Sequence, residues 1–331
     1  MTIRPIGRAG MLVATIGNFD GVHLGHQALV AAARREAGAS GRTVAVTFEP
    51  LPASVLRPAD APPRLTDART RERLLLEAGC DEVHTIDPRE GVLGEDPEAF
   101  IASLRRTLPF GAVVEGTDFR FGRGRSGDIG TLRALGARGG FRAIAIDDVD
   151  VDLPDGGRVA ARSSLVRWML AVGRVADAAR LLGRAHAVRG TVERGDRRGR
   201  TLGFPTANIG VPSGMLPRDG VYAGRAVVDG RTHPAAISIG TKPTFGRSAR
   251  TCEAHVIGLS RGADDYGWEV ELRFDAWIRG PGRFPRPEAL AARLREGRGA
   301  REAPLSADTR VEAELDHPPV VVRAAGQADD V

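Results

Sequence analysis

The segment Leu12-Val13-Ala14-Thr15-Ile16-Gly17-Asn18-Phe19-Asp20-Gly21-Val22-His23-Leu24-Gly25-His26 joins two patterns. Leu12 to Gly17 is a short β-branched run of the kind a buried strand needs, and Gln27 to Ala37 reads as a helix. Between them lies a glycine-bearing turn that carries two histidines. Strand, turn and helix in that order open an α/β sheet, where ligands collect at the carboxyl ends of the strands.

The alternation continues with Thr43 to Phe48 and then Arg69 to Ala78. Asp96 and Pro97 stand where an N-cap and a first helical residue belong before Ala99 to Leu108, and Ala112 to Glu115 supplies another strand. This order predicts a Rossmann-like α/β domain with a parallel sheet. A helix is expected from Ser164 to Leu182, with Leu165, Met169, Val172, Ala176 and Ala179 on its apolar face. From about residue 186 strands dominate. Tyr222 to Val228 and Ala235 to Ile239 flank Asp229-Gly230, a dipeptide suited to a tight turn, and Trp268 to Phe274 alternates apolar and charged residues. A small antiparallel β-barrel with a closing helix over Pro287 to Arg295 is the expected second architecture. The division expected is 1–184 for the α/β domain, 185–299 for the barrel and 300–331 for a flexible, aperiodic tail.

At 331 residues, two domains of ordinary size are expected. No apolar run approaches the roughly 20 residues of a membrane span, and Gly10 to Phe19 is too short and too soon followed by Asp20 and His23 to be a secretory signal. Cys80 and Cys252, one in each half, make neither a disulfide framework nor a cysteine metal site, which fits a cytoplasmic protein. The net charge of +5 comes from arginines scattered among nearly as many acids, and Lys242 is the single lysine. With no continuous basic stripe, a nucleic-acid partner is not expected. Nothing in the sequence sets an oligomeric state.

The turn is suited to phosphate chemistry. A helix N-terminus offers unpaired N–H groups, Gly21 and Gly25 let the backbone approach a phosphate closely, and His23 and His26 can donate hydrogen bonds to the charge on a transferring phosphoryl group. Taken alone, two histidines at a turn could equally be capping or surface residues. The whole segment, however, resembles the G-x-F-D-G-x-H-x-G-H signature of the FMN adenylyltransferase (FAD synthetase) module of bacterial bifunctional riboflavin kinase/FMN adenylyltransferases. Thr47-Phe48-Glu49-Pro50 and Gly116-Thr117-Asp118-Phe119-Arg120-Phe121-Gly122 resemble that module's next two motifs, in the right order. The resemblance implies that His23 and His26 are catalytic, and that Gly17, Phe19, Asp20, Gly25, Asp118 and Arg167 bind nucleotide or phosphate. Two departures stand out. The family's Thr-Phe-Glu-Pro is followed by His-Pro, but here by Leu51 and Pro52; its S-S-T-R-I-R stands here as Arg162-Ser163-Ser164-Leu165-Val166-Arg167, with Leu165 in place of the motif arginine. Since leucine cannot steady a triphosphate, either Arg167 and neighbouring arginines do so or adenylyl transfer is weak or lost.

In the second half, Gly195, Gly199, Arg200 and Gly203 form a glycine-bearing flap before Phe204-Pro205-Thr206-Ala207-Asn208. Such a loop can close over a triphosphate. Thr206 and Asn208 are hard oxygen donors two residues apart, on one side of an extended segment, and could share one Mg²⁺. A lone motif of this kind could be an ordinary turn. It is followed by Gly220-Val221-Tyr222-Ala223-Gly224, Ile239 to Gly246, Glu253-Ala254-His255 and Asp265-Tyr266-Gly267, which resemble riboflavin kinases in order and spacing. Glu253 lies in an expected strand, where it can point into the barrel mouth, and the resemblance implies that it is the catalytic base; His255 shares its face by period two and reads as structural support. The resemblance further implies a nucleotide site at Gly195, Arg200, Gly203, Thr206 and Asn208, with the last two on the metal.

The expectation is therefore a bifunctional enzyme that uses ATP and Mg²⁺ to convert riboflavin to FMN and FMN to FAD. The alternative is a riboflavin kinase with a degenerate first domain.

Overall fold

The computed structural model describes residues 10–194, 206–244, 247–259, 261 and 265–280. In the first half, β1 (Leu12–Ile16) leads to α1 (Leu24–Ala37), followed by β2 (Arg42–Phe48), α2 (Pro52–Leu56), α3 (Ala68–Glu77), β3 (Glu82–Ile86), α4 (Pro97–Thr107), β4 (Ala112–Gly116), α5 (Ile129–Gly139) and β5 (Arg142–Ile146). The five strands form one parallel sheet in the order β3-β2-β1-β4-β5. Side chains from both faces are buried, among them Val13, Ala14, Val44, Ala45, Val46 and Val113, as a sheet covered by helices requires. Asp96 caps α4 by accepting from the Ala99 amide at 2.9 Å, with Pro97 in the first turn, as the sequence predicts.

The strand order reverses between β1 and β4, which is where such a sheet binds ligands. These two strands pair only at Val13–Ala112 and Ala14–Val113. Beyond that point the Glu115 carboxyl accepts from the Ile16 amide at 2.6 Å, so a side chain takes the place of the next ladder bond and the strand ends part. The two turns that carry the first and third sequence motifs leave from these parted ends.

A small hairpin, β6 (Asp150–Asp152) and β7 (Arg158–Ala160), precedes α6 (Ser163–Ala171) and α7 (Val175–Leu182). The single helix expected over 164–182 is thus two. Gly173 breaks it, with φ of +86° and no space for a Cβ, which would lie 2.9 Å from the Trp277 ring.

The remaining strands are β8 (His186–Glu193), β9 (Ala207–Ile209), β10 (Gly220–Val228), β11 (Arg231–Thr244), β12 (Arg247–Val256) and β13 (Glu269–Arg279). They close into an antiparallel barrel in the order β10-β11-β12-β9-β8-β13. Asp229 (φ +49°) and Gly230 (φ +75°) make the turn between β10 and β11, as their sequence predicts, although β11 runs well past the expected Ile239. Val188, Ile209, Tyr222, Ile237, Cys252, Leu272 and Phe274 fill the core, which is continuous with Val166, Leu170 and Leu181 of α6 and α7. Cys80 and Cys252 are free and buried. The closing helix expected over 287–295 and the tail over 300–331 lie outside the described residues.

Candidate active sites

The turn between β1 and α1 is tightly constrained. Phe19, Gly21 and Val22 all have positive φ (48°, 85° and 39°), a conformation rarely adopted by a β-branched residue such as Val22. Gly21 is required there, since a Cβ would stand 2.8 Å from Leu65. The turn is fixed by partners far away in sequence. Asp20, 2% exposed, accepts from the amides of Leu65 and Thr66 at 3.0 Å and pairs with Arg167. Ser163, opening α6, donates to the Asp20 carbonyl at 2.8 Å. Arg71, 1% exposed, donates to the carbonyls of Asn18 (3.4 Å) and Phe48 (2.9 Å) and to the Glu49 carboxylate (2.9 Å).

His23 is the N-cap of α1 and His26 sits one turn in, with their rings stacked at a centroid distance of 3.6 Å. Gly25 makes room for this stack, because a Cβ would meet the His23 ring at 3.1 Å. Phe19, fully buried, sets its ring edge-on to His26 at 5.1 Å. The His23 side chain does not cap the helix, which leaves the first N–H groups of α1 for an incoming anion.

Burial, then Arg184, Arg162 and Arg167, hold the His23 pKa down at about 4. Burial, then His23 and the arginines at 184 and 167, push His26 well below its ordinary value. Both imidazoles are therefore neutral at neutral pH. Each has a buried Nδ1 with no partner, which favours the tautomer that carries its proton on Nε2. The pair offers N–H donors in a field of guanidinium groups, suited to anionic phosphate oxygens.

Arg162, the residue before α6, joins Asp118 of the β4 turn (2.8 Å) to Asp148 (2.5 Å). The structure thus brings His23, Gly25, His26, Asp118 and Arg167 around the parted ends of β1 and β4, beside Gly17, whose amide still bonds Val46 at 2.9 Å. Asp20 and Phe19 are engaged in holding the turn. Arg184 and Asp148 are the contributors that sequence reasoning missed; Arg162 and Ser163 entered it only as part of the altered motif. At the two departures from the motifs, Leu51 is buried and Leu165 packs against the core shared with the barrel.

The second cluster lies on the barrel. Asn208 on β9 is the register partner of Glu253 on β12 and of Glu193 on β8, so the three side chains stand in a row across three strands. Directly opposed residues have Cβ atoms about 5 Å apart. Thr206 stands just before β9, on the same side as Asn208 by strand alternation. Glu253 does not point into the barrel. Cys252, Ala254 and Val256 are the buried, inward residues of β12, and alternation puts Glu253 and His255 on the outer face, partly buried. Glu193 was not anticipated; strand register, invisible before the barrel closes, is what places it here. Gly195, Arg200 and Gly203 lie outside the described residues.

A family model of FAD synthetase matches residues 8–155, and one of riboflavin kinase matches residues 182–301. The bifunctional riboflavin kinase/FMN adenylyltransferase of Escherichia coli strain K12 is 36% identical over 285 residues, covering 85% of this chain and 89% of that protein. The chain belongs to the bifunctional riboflavin kinase/FMN adenylyltransferase family. The riboflavin kinase/FMN adenylyltransferase of Listeria monocytogenes is 33% identical over 286 residues, covering 85% of this chain and 88% of its own. Among solved structures, a protein described as a macrolide-efflux protein from Streptococcus pneumoniae aligns with a TM-score of 0.75 and 26% identity, over 89% of this chain and 94% of that one. Among the described residues of this family member, no helix is long and apolar enough to cross a membrane.

Proposed function

We propose that the chain makes FMN and FAD at two separate sites, with residues 1–184 serving adenylyl transfer and residues 185–299 serving the kinase. The reading rests above all on one observation: the neutral, stacked His23–His26 pair sits at the uncapped N-terminus of α1, where the strand order of the sheet reverses. A phosphate oxygen of FMN attacks the α-phosphorus of ATP there, a new P–O bond forms, and pyrophosphate leaves. His23 and His26 donate from Nε2 to the phosphate oxygens as charge shifts onto them, while Arg162 and Arg167 offset the charge of the triphosphate. With these two arginines in place, Leu165 does not deprive the site of a cation, and the bifunctional reading is preferred to a kinase alone.

At the barrel, Glu253 takes the proton of the terminal ribityl hydroxyl of riboflavin as its oxygen attacks the γ-phosphorus of ATP and ADP leaves. Thr206 and Asn208 are the residues that would hold Mg²⁺. Two such side chains suit an ion that arrives with ATP and takes most of its ligands from phosphate and water. Bound there, Mg²⁺ would neutralise phosphate charge. The free, buried thiols of Cys80 and Cys252 suit a reducing compartment, and we place the enzyme in the cytoplasm.

Separate active sites make a direct test possible. His26→Ala supplied with riboflavin and ATP is expected to accumulate FMN without FAD, and Glu253→Gln supplied with FMN and ATP is expected to make FAD normally while leaving riboflavin untouched. Loss of both activities in either variant would contradict two sites.

A further inference from the structure

Arg184 stands between Gly183, which follows α7, and His186, which opens the barrel. Its guanidinium reaches back across the chain to the histidine turn. Nη2 donates to the Gly21 carbonyl at 2.5 Å, and Nη1 donates to the carbonyls of Val22 and Leu182, each at 3.1 Å. The same two carbonyls, of Val22 and Leu182, also accept from the Gln27 side chain of α1 at 2.9 and 3.0 Å. Among the described residues the guanidinium meets no carboxylate, although Glu77 and Glu271 line with it a cavity of about 330 Å³ between α3 and the barrel. A cation committed to three carbonyls, at the one stretch where Gly21 and Val22 both have positive φ, fixes geometry more than it offsets charge.

We infer that Arg184 is a positioning residue for adenylyl transfer, holding from the connection between α7 and β8 the turn that presents His23 and His26. The inference rests on the reading of that turn as the adenylyl-transfer site. It makes the connection that leads into the barrel part of the first site: the fork of Arg184 spans the two peptide groups directly before the His23 N-cap, and a shift there moves both imidazoles. The groups that face His23 are Arg184, Arg162, Arg167, His26 and, with opposite effect, Asp148; those that face His26 are His23, Arg184 and Arg167. Removing Arg184 therefore takes away both a clamp and one of the charges that keep the pair neutral.

The test uses the full chain with Arg184→Met and Arg184→Lys, each assayed for FMN formation from riboflavin and for FAD formation from FMN, together with the NMR titration of the His23 ring proton. Arg184→Met is expected to lower kcat for FAD formation by ~10-fold or more, with KM for ATP and FMN and the kinase rate all within ~2-fold, because misplacement of a donor weakens the transition state more than binding. The His23 midpoint rises in the same variant. Arg184→Lys keeps the charge, but one ammonium cannot reproduce a planar fork across three carbonyls, so kcat stays low while the His23 midpoint stays near its original value. Normal FAD formation by Arg184→Met would overturn the inference, as would an equal fall of both activities in both variants, which would mark a residue of general stability. If the unmodified chain makes no FAD, it is the reading of the site that fails; Arg184 is then decided by the His23 titration, and an unchanged midpoint in Arg184→Met overturns its role.

Discussion

Asp20 and Arg167 form an ion pair across 147 positions of sequence, with the carboxylate 2% exposed and the guanidinium 16% exposed. The pair ties the turn after β1 to α6, and Asp20 also holds the Leu65 and Thr66 amides. Asp20→Ala would leave a guanidinium and two amides without this partner. A loss of about 3–5 kcal/mol in urea unfolding is expected, the range seen when one partner of a buried pair is removed. A change under about 1 kcal/mol would show that the turn is held by its other contacts.

His23 and His186 both contribute to acid sensitivity. Burial is the largest cause for both, and both titrate at about 4 in the folded protein against 6.5 in an unfolded chain. Between those values the unfolded chain binds more protons, so their contribution to stability falls as pH drops from about 6.5 to about 4 and is constant above. His186 is further fixed by a 2.7 Å contact between Nε2 and the Met215 carbonyl. In the nucleotide-free protein the ring protons of both residues should show no titration step between pH 7 and 5.5. A midpoint near 6.5 for either would refute the description of that site.

Glu115 acts in the opposite direction. Burial pushes its pKa well above the usual carboxylate range, against the opposing bond from the Ile16 amide. The unfolded chain releases this proton near 4.5 while the folded chain retains it, so stability from this group is lost as pH rises above 4.5. Glu115→Gln keeps an acceptor for Ile16 without the ionisation, and its stability at pH 8 should equal or exceed that of the unmodified chain. Glu115→Ala leaves the amide unpaired and should cost about 1–3 kcal/mol. A less stable Glu115→Gln at pH 8 would show that the carboxyl is ionised in place.

Asn208 and Glu253 face each other in the β9–β12 register. Asn208→Ala should raise KM for ATP in the kinase reaction, whereas Glu253→Gln should lower kcat by ~10²-fold or more, as expected on removing a general base. Neither should change FAD formation from supplied FMN. Steady-state kinetics on the two flavins separates these effects, and a kinase rate that survives Glu253→Gln would remove it as the base.

Much of this was legible in sequence because it is local. The β1 turn and α1, the N-cap at Asp96 and the Asp229-Gly230 turn each declare themselves within a few residues. The break at Gly173 was hidden because Leu165, Met169, Val172, Ala176 and Ala179 keep near-helical spacing across it. The partners that fix the site were illegible for another reason. Glu115 reaches Ile16 across 99 positions and Arg184 reaches Gly21 across 163, with no local pattern to announce either contact. Which face Glu253 takes was not legible in the sequence, because alternation fixes which residues share a side, but only the closed barrel shows which side is inside. Leu165, a departure when set against a motif, is a packing residue in the fold.

The central claim, two sites acting in series on one chain, is tested most directly by following the flavins over time in the purified full-length protein given riboflavin, ATP and Mg²⁺. FMN should rise first and then fall as FAD accumulates. FMN that accumulates without FAD would contradict adenylyl transfer at the histidine pair, and riboflavin left unchanged would contradict the kinase site as well.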